Sequence, residues 1–216
     1  MRIRTCNIIV LAAAVAALVR PAPAAAGDGS PGFGLKAGLN VGSADYSPLP
    51  AGVANDTLAG FAGGFYARWK LSEKLYLQPE ALYVTKGFTL KYSSGGMRLK
   101  TAYRLGYLDV PFFLGFVPGG ESGKLRFFAG PVASLLLSAK ATLEVSGSMF
   151  GSFSATADVK KAFKSGDLGL AGGIGYGFSR AFSAELRFER GAANISDVAG
   201  VNIKNSNLSL LLCAGF

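Results

Sequence analysis

Eight stretches of this chain alternate apolar residues with polar residues or glycine at a period of two, and that repeat commits it to antiparallel strands. The first is FGLKAGLNVGS, where Phe33, Leu35, Ala37, Leu39 and Val41 alternate with Gly34, Lys36, Gly38, Asn40 and Gly42. GFAGGFYARWKLS and LYLQPEALYVTKGF follow, joined by a tight turn at Ser72–Lys74. YLDVPFFLGF, a weaker LRFFAGPVASLLLSAK, DLGLAGGIGYGF and AELRFER continue the series. NLSLLLCAGF is the eighth; its apolar parity holds Leu208, Leu210, Leu212, Ala214 and Phe216. Turn residues separate the segments, no convincing amphipathic helix interrupts them, and the connections alternate short and long. The short ones lie near Ser72–Lys74, Pro118–Lys124 and Ser179–Ser183. The longer ones lie near Ala44–Thr57, Lys91–Tyr103, Val145–Ser165 and Gly191–Lys204. Short turns on one side and long loops on the other fit an up-and-down barrel across an outer membrane.

Parity alone does not say which face points outward. A soluble barrel buries the apolar parity, whereas a membrane barrel turns it to lipid. Volume favours lipid, because an eight-stranded barrel has an interior just wide enough to be filled by side chains. The apolar parity, mostly Leu, Phe, Val, Trp and Tyr, is too bulky for that space, and the other parity is rich in Gly. Charge agrees. The polar parity carries Lys36, Arg68, Lys86 and Arg187 against Glu80, Asp109, Glu185 and Glu189, which can satisfy one another inside a lumen. The expected fold is therefore all-β, an eight-stranded antiparallel up-and-down transmembrane β-barrel. Arg68, Glu80, Lys86, Asp109, Glu185 and Arg187 are its candidate lumen charge network. Trp69, Tyr83 and Tyr176 are candidate interfacial aromatics. Leu208, Leu210, Leu212 and Phe216 mark the C-terminal strand expected to pair with the first during insertion by the barrel-assembly machinery, since lipid supplies no partner for a free backbone group.

The N-terminal stretch reads as a leader. Arg2 and Arg4 precede an apolar run from about Ile8 to Val19, and APAAA supplies a small-residue cleavage site, after Ala26. That run is shorter than the roughly 20 residues of a spanning helix. The expected division is a signal peptide over 1–26 and a barrel domain over 27–216, exported to the outer membrane. Without the three leader arginines the chain keeps nineteen cations against thirteen acids. Its basic loop residues, Lys91, Arg98, Lys100, Lys160, Lys161 and Lys164, with Arg104 and Lys204, would meet lipopolysaccharide phosphates if they face outside. Nucleic acid would be on the wrong side of that membrane. Cys213 is the single cysteine after the leader, so neither a disulfide nor a cysteine metal site is expected.

GLKAGLNVG, LYLQPEALYVTKG, YLDVPFFLGF, FFAGP, DLGLAGGIGYGF and NLSLLLCAGF together resemble the PorT-like outer-membrane β-barrel family over nearly the whole exported part. The resemblance implies a small outer-membrane barrel of Gram-negative bacteria with no known catalytic residues. It does not carry over the secretion and sorting role linked to the family's name-giving member.

Chemistry is sparse. The chain has no His, the usual general base of a Ser–His hydrolase. The glycines of GLAGGIGYGF keep strand parity and lack nucleotide-loop spacing. No cofactor and no catalytic residue is expected. The reading is a non-enzymatic outer-membrane protein with a structural or interaction role, a packed charged lumen and basic extracellular loops. It is expected to be monomeric, because closure removes the sheet edges. The alternatives are a narrow channel for small solutes and a soluble periplasmic barrel holding a lipid-like ligand.

Overall fold

The computed structural model describes residues 32–120, 124–147, 151–179 and 181–215; the leader and Phe216 lie outside the described residues. Ten strands follow in chain order: β1 (Phe33–Ser47), β2 (Val53–Ala67), β3 (Trp69–Lys70), β4 (Leu75–Ser94), β5 (Met97–Phe116), β6 (Leu125–Gly147), β7 (Gly151–Asp158), β8 (Gly166–Gly177), β9 (Phe182–Gly191) and β10 (Asn202–Gly215). Eight of them, β1, β2, β4, β5, β6, β8, β9 and β10, close into an antiparallel ring. β3 continues the line of β2 along β4, and β7 pairs with the upper part of β6. The barrel closes between the first and last strands, with β1 and β10 in register from Gly34–Gly215 to Ser47–Asn202.

The stagger of the ring follows from the pairing. Neighbour by neighbour, Val41 leads through Leu208, Phe188, Gly172, Ala129, Leu114 and Leu77 to Trp69. Ala67 faces Phe33, eight residues before Val41, and Trp69 lies two positions further on, so one circuit shifts by ten residues. Eight strands with that stagger are tilted by about 40–45° from the barrel axis. The tilt carries residues far apart in sequence to one level of the lumen.

The apolar parity faces outward. Leu39 is 70% exposed and Leu170 68%, and Phe65, Phe112, Leu186 and Leu212 are exposed with them. Such a belt around the whole ring belongs in lipid. The alternative of a soluble barrel with this parity as a ligand pocket is thereby overturned. Above the belt the strands do not stop. β4 and β5 continue to a two-residue turn at Gly95 and Gly96, and β6 continues with β7, so the wall extends as a flap beyond the membrane. The stretches 91–103 and 145–165, expected as long loops, are therefore largely sheet. At the opposite, short-turn end, Phe33, Phe116, Phe127, Phe178 and Phe182 form an exposed aromatic band.

Candidate functional site: the filled lumen and the charged wall above it

Inward positions are packed at every level. Near the short turns, two lumen glycines make room for aromatic rings. Gly34 lies opposite Tyr66, and Gly115 lies opposite Tyr76. A Cβ on Gly115 would stand 1.9 Å from the Tyr76 ring, and one on Gly34 would stand 2.4 Å from that of Tyr66. Arg68 lies over both rings and donates to the amide oxygen of Gln78 through Nε (2.8 Å) and Nη2 (2.6 Å).

The next level is a closed set of two cations and two carboxylates. Lys36 Nζ contacts Glu80 Oε1 at 2.6 Å and Glu185 Oε2 at 2.5 Å. Arg187 Nη2 contacts Glu80 Oε2 at 2.8 Å and Glu185 Oε2 at 3.3 Å. Gln78 Nε2 donates to Glu80 Oε1 at 2.7 Å, and the Arg187 guanidinium lies 4.7 Å from the centre of the Phe113 ring. These side chains are buried, so the charges are compensated by one another and not by solvent.

A layer of Ala62, Leu82, Val84 and Leu211, beside Asn40 hydrogen-bonded to Ser209 (2.7 Å), separates this cluster from a second. In the upper cluster Lys86 Nζ is the hub. It contacts Asp109 Oδ2 at 3.0 Å, pairs closely with Glu189, and donates to Ser134 Oγ at 3.0 Å. Asp167 stands beside it in the ladder opposite Ser134 and accepts from Asn205 at 2.9 Å. Over this cluster sits an apolar cap of Phe88, Leu105, Leu136, Phe163, Ile195 and Ile203. Phe163 and Ile195 come from connecting segments drawn into the mouth. Lys164 N bonds to Ile195 O and Ile195 N to Ile203 O, both at 2.8 Å.

The six residues expected as the lumen network all face inward, but they split. Glu80, Glu185 and Arg187 meet in the lower cluster, and Lys86 and Asp109 meet in the upper. Arg68 is a correction: its hydrogen-bond partner is the neutral Gln78, and the cation that completes the lower cluster is Lys36. Lys36 and Glu189 were legible as inward charges but were not in the candidate set. Asn205, Ser134 and the cap carried no sequence signal of their own.

The aromatic candidates divide by height. Trp69 and Tyr176 stand at the short-turn end, Tyr176 with its ring 5.7 Å from that of Phe178. Tyr83 is the last outward apolar residue of β4 before Thr85 and marks the other rim. Leu208, Leu210 and Leu212 lie outward on β10 against β1 and β9. Of the basic loop candidates, Lys91, Arg98 and Lys100 stand on β4 and β5 and not in loops; Lys91 pairs with Asp56 at 2.5 Å and Lys100 with Glu144 at 3.1 Å. Lys160 and Lys161 lie on a short 3-10 turn, and Lys164 follows it.

A family model described as "Outer membrane protein beta-barrel domain" matches residues 28–197. Among solved structures, the fold is similar to Neisserial surface protein A, with a TM-score of 0.50 and 16% identity over 86% of this chain and 97% of that one. Weaker likenesses reach Ail of Yersinia pestis (TM-score 0.42, 10% identity, 85% of this chain and 99% of that one) and OprG of Pseudomonas aeruginosa (0.40, 13%, 88% and 95%). No curated protein sequence matches the chain.

Proposed function

The chain belongs to the outer membrane protein beta-barrel domain family, and on that premise we propose that it is a sealed, non-enzymatic barrel whose work is done by its wall and flap at the cell surface. The proposal includes export through a leader removed after Ala26. The observation that carries the sealed reading is the continuous filling of the lumen. Arg68 with its tyrosines, the two ion clusters, the apolar layer between them and the cap leave each level occupied by side chains. An ion crossing such a lumen would have to break buried ion pairs twice, and each break strands a charge in low dielectric. The chain's lack of His fits a role without acid–base chemistry.

The flap supplies the interaction surface. One of its faces holds Lys91, Arg98, Lys100 and Glu144, and the connection after β7 adds Lys160, Lys161 and Lys164. A surface with this excess of cations is suited to polyanions of the cell envelope.

Planar-bilayer recording of the purified protein tests the sealed reading. The expected result is the absence of steady unitary conductance. A persistent open level in the unmodified protein would overturn it in favour of the narrow channel.

A further inference from the structure

On six strands the outward apolar series ends in a polar or charged residue. Val41 is followed outward by Ser43, Leu208 by Ser206, Phe188 by Arg190, and Tyr83 by Thr85. On β5 and β6 the next charged wall residues above Leu108 and Leu137 are Arg104 and Lys140. This is the height at which lipid tails give way to headgroups.

The cations of this region are not equivalent. Arg190 pairs with Asp45, Lys91 with Asp56 and Lys100 with Glu144. Arg104 and Lys140 are direct cross-strand partners, both exposed, and neither forms an ion pair among the described residues. Like charges directly opposite in a ladder are destabilising, so their placement asks for an outside anion. Arg104 reaches across Gly87, its partner on β4, and one Nη donates to Ala59 O at 3.3 Å. Lys160 adds a third cation beside them. Its Nζ donates to Leu137 O at 2.9 Å, at the extra residue that bulges β6 between Leu136 and Ser138. The neighbouring acid, Asp158, stands opposite Lys140 in the ladder, but one of its oxygens accepts from the Lys160 backbone N–H. Beside Arg104, Lys140 and Lys160 the ladder thus places one carboxylate, Asp158.

We infer that Arg104, Lys140 and Lys160 form a binding site for the phosphate of an outer-leaflet lipid headgroup, with the lipid's acyl chains lying along Leu108, Leu135 and Leu137 below. The inference deepens the proposed surface role and rests on the flap facing outside. The chemistry required is a phosphate monoester or diester on an anchored headgroup. The phosphorylated saccharide of lipopolysaccharide supplies it in the outer leaflet. Two cations at a membrane surface contribute about thirtyfold in affinity together.

The test titrates the purified protein in detergent with lipopolysaccharide, phosphatase-treated lipopolysaccharide, phosphatidylglycerol and inorganic phosphate. It reads the temperature at which the compact gel band is lost. Lipopolysaccharide is expected to raise that temperature for the unmodified protein and for the control K74Q/K124Q, which removes two exposed cations at the opposite, short-turn end. R104Q/K140Q is expected to need about thirtyfold more lipid for the same rise. An equal rise in R104Q/K140Q, or an equal effect of phosphatase-treated lipid, would overturn the site. Inorganic phosphate acting as well as the lipid would overturn the lipid source, leaving a soluble-anion site. Phosphatidylglycerol acting where lipopolysaccharide does not would overturn lipopolysaccharide as the source without touching the sealed lumen. Should R104Q/K140Q give no compact band, K140Q alone carries the test, because that side chain is exposed and makes no contact that folding needs.

Discussion

The two ion clusters in the lumen use the same residue types and answer differently to the loss of one member. In the lower cluster each carboxylate touches two cations: Glu80 and Glu185 both meet Lys36 and Arg187. In the upper cluster Asp109 and Glu189 share one cation, Lys86. Asp167 lies nearby with an amide as its partner, and one oxygen each of Asp109 and Asp167 is without a hydrogen bond among the described residues. The lower set is redundant, while the upper set hangs on a single ammonium. Redundancy matters because a buried charge that loses its partner costs more than the pair contributed.

Lys86 is the residue at which the two clusters differ most. Lys86→Met leaves two buried carboxylates without a cation, and the expected loss is about 3–5 kcal/mol of folding stability. Urea titration in micelles, scored by the heat-modifiable gel shift, measures it. Replacing the whole upper set at once, K86M/D109L/E189L, is expected to recover most of the loss, since an apolar substitute of like volume strands no charge. Failure of the triple variant to recover would mean that the cluster also fixes strand register. Lys36→Met is expected to cost less, on the order of 2 kcal/mol, since Arg187 remains against both Glu80 and Glu185. A loss at Lys36 equal to that at Lys86 would erase the distinction between the clusters. Arg68→Ala comes next, at about 1 kcal/mol, because its partner Gln78 is neutral and still donates to Glu80.

This contrast also shows where the sequence is readable. Inward parity was legible wherever the opposite parity had to be apolar for lipid, which is why Lys36, Glu80, Lys86, Asp109, Glu185, Arg187 and Glu189 could be assigned to one face. Their grouping was not legible. It depends on a strand stagger of ten residues, which brings Lys36 to the level of Glu80 and Glu185 and leaves Arg68 one step lower, opposite Gln78. The alternation of β6 was weak for a physical reason. Leu137 is an extra residue where the register with β5 shifts, so the inward parity changes from Val132, Ser134 and Leu136 to Ala139. The flap was hidden for another reason. Above the lipid belt a strand no longer needs an apolar outward face, so Lys91, Ser93, Arg98 and Lys100 continue the ladder without a hydrophobic period. GSFSATAD is the extreme case, a strand exposed at every residue and recognisable only by its pairing with β6.

The flap offers the smallest and most selective perturbation. Asp56 and Lys91 pair at 2.5 Å on its β2–β4 edge, both about half exposed. The hydrogen bond from Lys91 holds the Asp56 carboxyl below its ordinary value of 3.8, helped by the Thr57 backbone N–H. A lowered folded value means that the contribution is present above the unfolded value and is lost as pH falls through the folded one. Acidification below about pH 4 is therefore expected to loosen this edge while the barrel stays closed, since water and salt screen the flap pair and not the lumen. Amide hydrogen exchange is the measurement. Loss of protection, taken against the intrinsic exchange rate at each pH, confined to 53–57 and 88–92 below that pH and abolished as a pH effect in D56N, is the expected pattern. Exchange that rises together in the flap and around Lys86 would mean that the flap and lumen melt as one unit.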